Sequence, residues 1–123
     1  MSGIKSYKDL LIWQKGIVLV VKVYKLVKTF PKEELFALTS QIKRASVSIP
    51  SNISEGYGRN TDKSFSYFLD ISRGSLNELE TQLIIAKELE FITDFDLYTE
   101  VLSLITEESK MINAFSKTLK VKD

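Results

Sequence analysis

Glu55, Tyr57, Asp70 and Glu78 are the side chains that could form an acid–base set. Proton transfer in a transition state needs such a group within hydrogen-bond reach of the proton it moves. Nothing in the spacing of these four fixes that geometry. The missing residue types say more. The chain has 123 residues and no Cys, which removes disulfides, thiolate nucleophiles and Cys-based metal sites. It has no His, the commonest general base and metal ligand. Ser-His-Asp and Cys-His catalysis, zinc centres and Glu-x-x-His di-iron sites are excluded. The expectation is a protein that is not an enzyme, holds no metal or cofactor, and acts by binding.

Binding to a polyanion is the next chemistry to consider. Lys8, Lys15 and Lys22 recur every seven residues, and Lys25, Lys28 and Lys32 extend the basic region. Lys43, Arg44 and Arg59 are further candidates for phosphate contacts with RNA or DNA, which would be salt-sensitive and independent of base sequence. The same lysines could instead be solvated, or paired with Asp94, Asp96, Glu100, Glu107 and Glu108. Residues 1–60 hold ten Lys/Arg against four Asp/Glu, a balance of +6; residues 61–123 hold seven against twelve, a balance of −5. The net charge is only +1. Such halves either present a basic face or neutralise one another on folding or assembly.

These groups sit on long amphipathic segments. The length and an ordinary 44% hydrophobic content fit one domain spanning 1–123. The most apolar run, residues 17–21, is flanked by Lys15 and Lys22 and is too short to span a membrane. With no signal-type leader, the chain is expected in the cytoplasm. Helix 1 is expected over 7–29, its bundle seam formed by Leu10, Trp13, Ile17, Val20, Tyr24 and Val27. Leu11, Val18, Leu19, Val21, Val23 and Leu26 widen the apolar surface beyond one stripe, which points to a homo-oligomer. Helix 2 is expected to begin at Pro31 and to carry Leu35, Leu38, Ile42, Ala45, Ile49 and Ile53 inward. Helix 3 should run from an Asp62 cap to Leu89 on a seam of Phe65, Phe68/Leu69, Ser72, Leu76, Leu79, Leu83 and Ala86, and helix 4 from a capping box at Thr93 and Asp96 with Leu97, Val101, Leu104, Ile105, Met111/Ile112, Phe115 and Leu119 inward. Short breaks imply antiparallel neighbours. The fold expected is an all-α, antiparallel up-down-up-down four-helix bundle.

The stretch IPSNISEGYGRN, residues 49–60, interrupts this pattern. The helix 2 seam passes through Pro50, which predicts a continuous helix kinked there, because Pro50 donates no bond to the Ser46 carbonyl. Gly56 is expected as a left-handed helix stop and Arg59 as a donor to the last carbonyls. Ala45, Ser46 and Ser48 are expected to face Ser72, Gly74 and Ser75 in a close approach of helices 2 and 3. Arg44, Arg73 and Glu78 lie near the same junction and could pair. With Asn52 and Glu55, these polar groups read mainly as packing, capping and ion pairing, with a binding surface as the alternative.

Residues 41–59, QIKRASVSIPSNISEGYGR, resemble a signature of the 23S rRNA intervening-sequence protein family, also called four helix bundle proteins. Residues 68–83, FLDISRGSLNELETQL, look like its second signature, and Tyr7-Lys8-Asp9-Leu10 with Trp13-Gln14-Lys15 is similar to the family's opening. The resemblance covers about residues 6–119. It implies a four-helix bundle assembled as a ring-like homopentamer, with no established catalytic residues. It also relates the chain to accessory proteins of diversity-generating retroelements, a basic branch whose pentamers bind nucleic acid and a protein partner. The function expected is that of a homo-oligomer that binds RNA or DNA, or of one that holds a protein partner without nucleic acid.

Overall fold

A computed structural model describes residues 3–120. Four α-helices account for most of them: α1 (Leu11–Val27), α2 (Leu38–Tyr57), α3 (Asp62–Glu88) and α4 (Phe95–Ser116). No strand occurs among the described residues. Contacts pair the helices in opposite senses. Lys43 lies over the Tyr24 ring while Gly16 meets Pro50. Ser48 bonds Ser75 while Gly56 meets Phe65. Lys15 pairs with Glu107 while Thr29 bonds Thr93. α1 packs on α2 and α4, α3 packs on the same two, and α1 and α3 sit on the diagonal.

The helix starts differ from the sequence expectations, each for a local reason. Residues Tyr7–Asp9 form a separate 3-10 turn, closed by a capping box between Ser6 and Asp9, and α1 begins only at Leu11. Lys32–Glu34 likewise form a 3-10 turn. The backbone at Ala37 (φ −122°, ψ −109°) then leaves helical geometry, so α2 begins at Leu38 rather than at Pro31. Thr61, not Asp62, caps α3 by accepting the Ser64 N–H; Asp62 instead accepts the Lys120 N–H at 2.9 Å. Asp94 caps α4, and the Thr93 hydroxyl bonds Thr29. α3 ends with Glu90 in the left-handed region (φ +64°), where the Glu90 and Phe91 N–H groups take up the Lys87 and Ala86 carbonyls.

α2 runs unbroken through Pro50, and its contact with α3 is close and polar at the centre. The buried Ser72 hydroxyl donates to the Ile49 carbonyl at 2.9 Å. Asn52 Nδ2 bonds both the carbonyl and the hydroxyl of Ser48, and that hydroxyl meets Ser75 Oγ at 2.8 Å. Gly56 is not a helix stop. It is buried within α2, and a Cβ on it would lie 2.8 Å from the Phe65 ring and 2.9 Å from Phe68 Cβ. Gly74, expected at the same contact, faces outward instead, with nothing within 4 Å of an added Cβ. The small residues that let the helices close are therefore Ser48, Gly56, Ser72 and Ser75.

The core on either side is aliphatic, with Leu19, Ile42, Ile49, Ile53, Leu69, Leu76, Leu79, Leu83 and Ile112 at or near zero exposure. One charged-type residue is among them. Glu108 is 1% exposed, and neither carboxylate oxygen has a hydrogen-bond partner among the described residues. It lies over α1 where Gly16 leaves room: a Cβ on Gly16 would sit 3.1 Å from Glu108 Oε2 and 3.3 Å from Pro50 Cβ. Burial first, and Glu107 second, raise its pKa to about 8, with Lys15 opposing them. An ionised carboxylate without a partner is far costlier to bury than a neutral acid, so Glu108 is held protonated at neutral pH.

Two measurements check this packing. Gly56→Ala is expected to destabilise the fold by about 2 kcal/mol through overpacking against Phe65 and Phe68. Gly74→Ala should gain about 0.5–1 kcal/mol from helix propensity. Urea unfolding of the two variants that moved the midpoint in the same direction would contradict the assignment. For Glu108, the unfolded chain binds fewer protons than the folded one between its ordinary pKa and about 8. This group's contribution is fully present below the ordinary value and is lost as pH rises through the folded one. Glu108→Gln should exceed wild type in stability by about 3 kcal/mol at pH 8, with the gap closing toward pH 5. Parallel stability–pH curves would rule this out.

Candidate functional site

The α1 helix is apolar on two sides, and the one facing the core is not the one the spacing suggested. Ile12, Gly16, Leu19, Val23, Leu26 and Val27 are buried. Of the expected seam, Leu10 and Val27 are buried, Trp13 and Val20 are half-buried, and Ile17 and Tyr24 are exposed. Both stripes repeat at three and four residues, so periodicity alone did not decide between them. Leu11 (66% exposed) and Val21 (61%) stand outward with Ile17, Val18 and Tyr24. Val47 of α2 and Leu35 continue this surface, and Phe36, at 93%, touches almost nothing of its own chain. Tyr24, Leu35, Phe36, Lys43, Arg44 and Val47 together line a shallow groove.

The basic candidates separate into two groups. Lys15 pairs with Glu107 at 3.0 Å and Lys22 with Glu100 at 3.4 Å, both across the α1–α4 contact. Arg59 pairs with Glu55 at 2.8 Å and lies over the Phe68 ring instead of reaching the last carbonyls of α2. No carboxylate lies within 4.0 Å of Lys8, Lys25, Lys28, Lys43 or Arg44 among the described residues. Lys8 lies over the Tyr7 ring. Lys25 shares a groove with Asp94, Asp96 and Glu100. Lys28, Lys32 and Lys43 line a recess beside Phe30 and Leu35, at the turn joining α1 to α2. Arg44 donates to Ser40 Oγ at 3.1 Å.

The four acid–base candidates do not converge. Glu55 is held by Arg59, Asp70 by Arg73, and Tyr57 stacks edge-on to Phe65. Glu78 faces Arg44 across a recess with Gln41 and Gln82, without an ion pair. Arg73 ties α3 to α4 by donating to Asn113 Oδ1 at 2.7 Å. The expected Arg44–Arg73–Glu78 cluster thus divides between two surfaces. No group of three or more Asp/Glu among the described residues could hold a metal ion. No helix among them is long and apolar enough to cross a membrane.

Two features are visible only in the fold. By sequence Glu108 groups with the acids that could pair with lysines, and the structure places it in the core. A signal was present: Val101, Ile105, Glu108 and Ile112 keep the seam spacing. The second feature is an acidic, apolar tip at the α3–α4 turn. Ile84, Ile85, Leu89 and Phe95 are exposed there, beside Glu88, Glu90 and Asp96. Tyr98 beside it has its pKa raised by burial, then by Glu88 and Glu80, and Lys87 lies over its ring.

Comparison with known proteins agrees with this geometry. No curated protein matches the chain. A crystal structure of a protein of unknown function from the S23 ribosomal protein family of Bacteroides thetaiotaomicron is similar to it, with a TM-score of 0.76 and 25% identity. The alignment covers 87% of this chain and 99% of that one. Residues 8–114 match the family described as 23S rRNA-intervening sequence protein. With four helices, the two signature stretches packed against each other on α2 and α3, and a match over nearly its whole length, the chain belongs to the 23S rRNA-intervening sequence protein family.

Proposed function

We propose that this protein is a non-enzymatic scaffold of the cytoplasm whose working form is a homo-oligomer. The observation that carries this reading is the second apolar stripe of α1. Leu11, Ile17, Val18, Val21 and Tyr24 stand uncovered, and Val47, Leu35 and Phe36 extend them into one surface. Isolated exposed apolar residues are ordinary; a contiguous surface running along a helix and across its neighbour marks an interaction site. The interior is complete without it, and nothing among the described residues covers it. A ring of five copies is the assembly that the family resemblance implies, and the assembled surface is then offered to a protein partner.

A second reading, in which the assembly binds RNA or DNA, is favoured by the basic turn between α1 and α2. Lys28, Lys32, Lys43 and Arg44 gather there without ion-pair partners among the described residues, although Glu33 and Glu34 share the turn. Symmetry would repeat such a cluster around a ring. Lys15 and Lys22 support this reading less, because Glu107 and Glu100 already neutralise them.

Native mass measurement tests the first reading. Wild type is expected as one discrete oligomer, and Val18→Glu with Val21→Glu should give monomers with unchanged helical content. Wild type that remains monomeric at about 100 µM, an affinity weaker than most functional assemblies, would overturn it. Retardation of generic RNA and duplex DNA tests the second. Binding should weaken at least about 10-fold between ~50 and ~200 mM salt, and again with Lys28→Glu plus Lys43→Glu. Absence of retardation at low salt would remove nucleic acid as a partner.

A further inference from the structure

The turn between α1 and α2 encloses a recess of about 210 Å³, smaller and less open than the groove of Tyr24 and Phe36 beside it. Part of its wall is apolar, with Val27 and Phe30 buried behind it. Lys28, Lys32 and Lys43 line the rest, one each from the C-cap of α1, the 3-10 turn and α2. None of the three has a carboxylate within 4.0 Å among the described residues. Glu33 and Glu34 belong to the same turn but do not line the recess.

Thr39 completes the lining. It sits in the first turn of α2, is 4% exposed, and its Oγ1 has no hydrogen-bond partner among the described residues. A buried hydroxyl left without a partner costs free energy that a bound acceptor would return. No side chain caps α2 either, so the first N–H groups of the helix lack a side-chain acceptor. The dipole of a 20-residue helix favours negative charge at that end. Three ammonium groups, a free hydroxyl and a helix N-terminus are all donors or positive charges. Their common complement is an anion with several acceptor oxygens.

We infer that this recess binds a terminal phosphate group, either free phosphate or a phosphomonoester. Its size sets that class, being below the roughly 300–1,000 Å³ of sites that take a whole drug-sized ligand. A monoester enters from one side and leaves its remaining oxygens to the lysines and Thr39. The enclosed wall favours it over a phosphodiester, which carries substituents on two of its oxygens. Contact with Thr39 requires its covered Oγ1 to turn about χ1, between the two states that Thr adopts in helices. Charge-assisted hydrogen bonds against an apolar wall are stronger than the same bonds in water. The inference requires neither self-assembly nor a nucleic acid, so it stands or falls apart from both readings above.

Calorimetric titration of the full chain with inorganic phosphate, in about 150 mM chloride, is expected to saturate with a Kd of about 1 mM or below. Thr39→Val keeps the shape of the side chain and should weaken phosphate binding at least about 10-fold, the loss of one hydrogen bond to a charged group. In phosphate-free buffer the same variant should unfold in urea no earlier than wild type, because the hydroxyl it removes is unpaired. Thr39→Ser should bind as wild type does. Lys28→Gln with Lys43→Gln should lose binding by at least about 100-fold. Lys63→Gln with Lys117→Gln, the same change of charge at exposed residues elsewhere, should not. Three results would overturn the inference: no saturable binding of phosphate, a folded Thr39→Val that binds as well as wild type, or a Lys63/Lys117 pair that loses as much as the Lys28/Lys43 pair. Competition separates the sources of phosphate. A short single-stranded oligonucleotide with a 5′-phosphate should displace inorganic phosphate, and the same oligonucleotide without it should not. Equal displacement by both would assign the recess to backbone phosphodiesters and overturn the choice of a terminal group.

Discussion

The close seating of α2 on α3 holds the other contacts in place. Two helices come near enough to bond through their hydroxyls only where side chains are small, and here those are Ser48, Gly56, Ser72 and Ser75. The contact is directional as well as tight. Ser72 reaches the Ile49 carbonyl beside Pro50, and the Asn52–Ser48–Ser75 chain fixes the register one turn away. Buried hydrogen bonds contribute modestly to net stability but strongly penalise alternatives in which they are unmade. A shift of one helix by a turn would leave the Ser72 hydroxyl and its neighbours unpaired, so the pair behaves as a single rigid plate. α1 and α4 then pack on that plate through aliphatic side chains that tolerate more latitude.

The second junction, where α1 crosses α2, is built on the opposite principle. Gly16 admits Pro50 from one side and the Glu108 carboxyl from the other. The neutral acid there has no partner among the described residues, and its burial is supported by the aliphatic core around it rather than by bonds of its own. Such a group is an expense that the α2–α3 contact does not share. It links the stability of the α1–α4 side to pH, while the buried polar residues of the α2–α3 plate are Thr39, Ser46, Ser72 and Gln82, none of them ionisable.

The charge pattern comes from the same arrangement. Pairing Lys15 with Glu107 and Lys22 with Glu100 uses up the middle of the lysine row on the α1–α4 contact. Apart from Lys8, the lysines of the row without an ion pair lie toward the end where helices α1 and α2 are joined, next to the exposed Phe36. The opposing surplus of acid collects at the α3–α4 turn. Neither surface could be inferred from net charge, which is +1.

Amino-acid order alone was enough for the number of helices, their approximate extents, and most of the inward faces of α2, α3 and α4, although Leu35, expected inward, is exposed ahead of α2. Each of those faces is a single apolar stripe, so its period has one solution: Leu69, Ser72, Leu76, Leu79, Leu83 and Ala86 were legible in advance, and so was continuity through Pro50. The absence of His and Cys likewise restricted the chemistry before any geometry. Folding in three dimensions was needed to choose which of two equally periodic stripes of α1 turned inward, because both satisfy the helical repeat and the choice rests on what Gly16 meets across the core. It was needed too to pick the glycine that permits close packing, since Gly56 and Gly74 differ in surroundings and not in kind. The starts of α2 and α4 escaped the sequence for a related reason: capping depends on backbone angles at one residue, such as Ala37 or Asp94, and several neighbours offered side chains equally able to cap. Glu108 kept the seam spacing but not the seam chemistry, and only packing shows that the spacing prevailed.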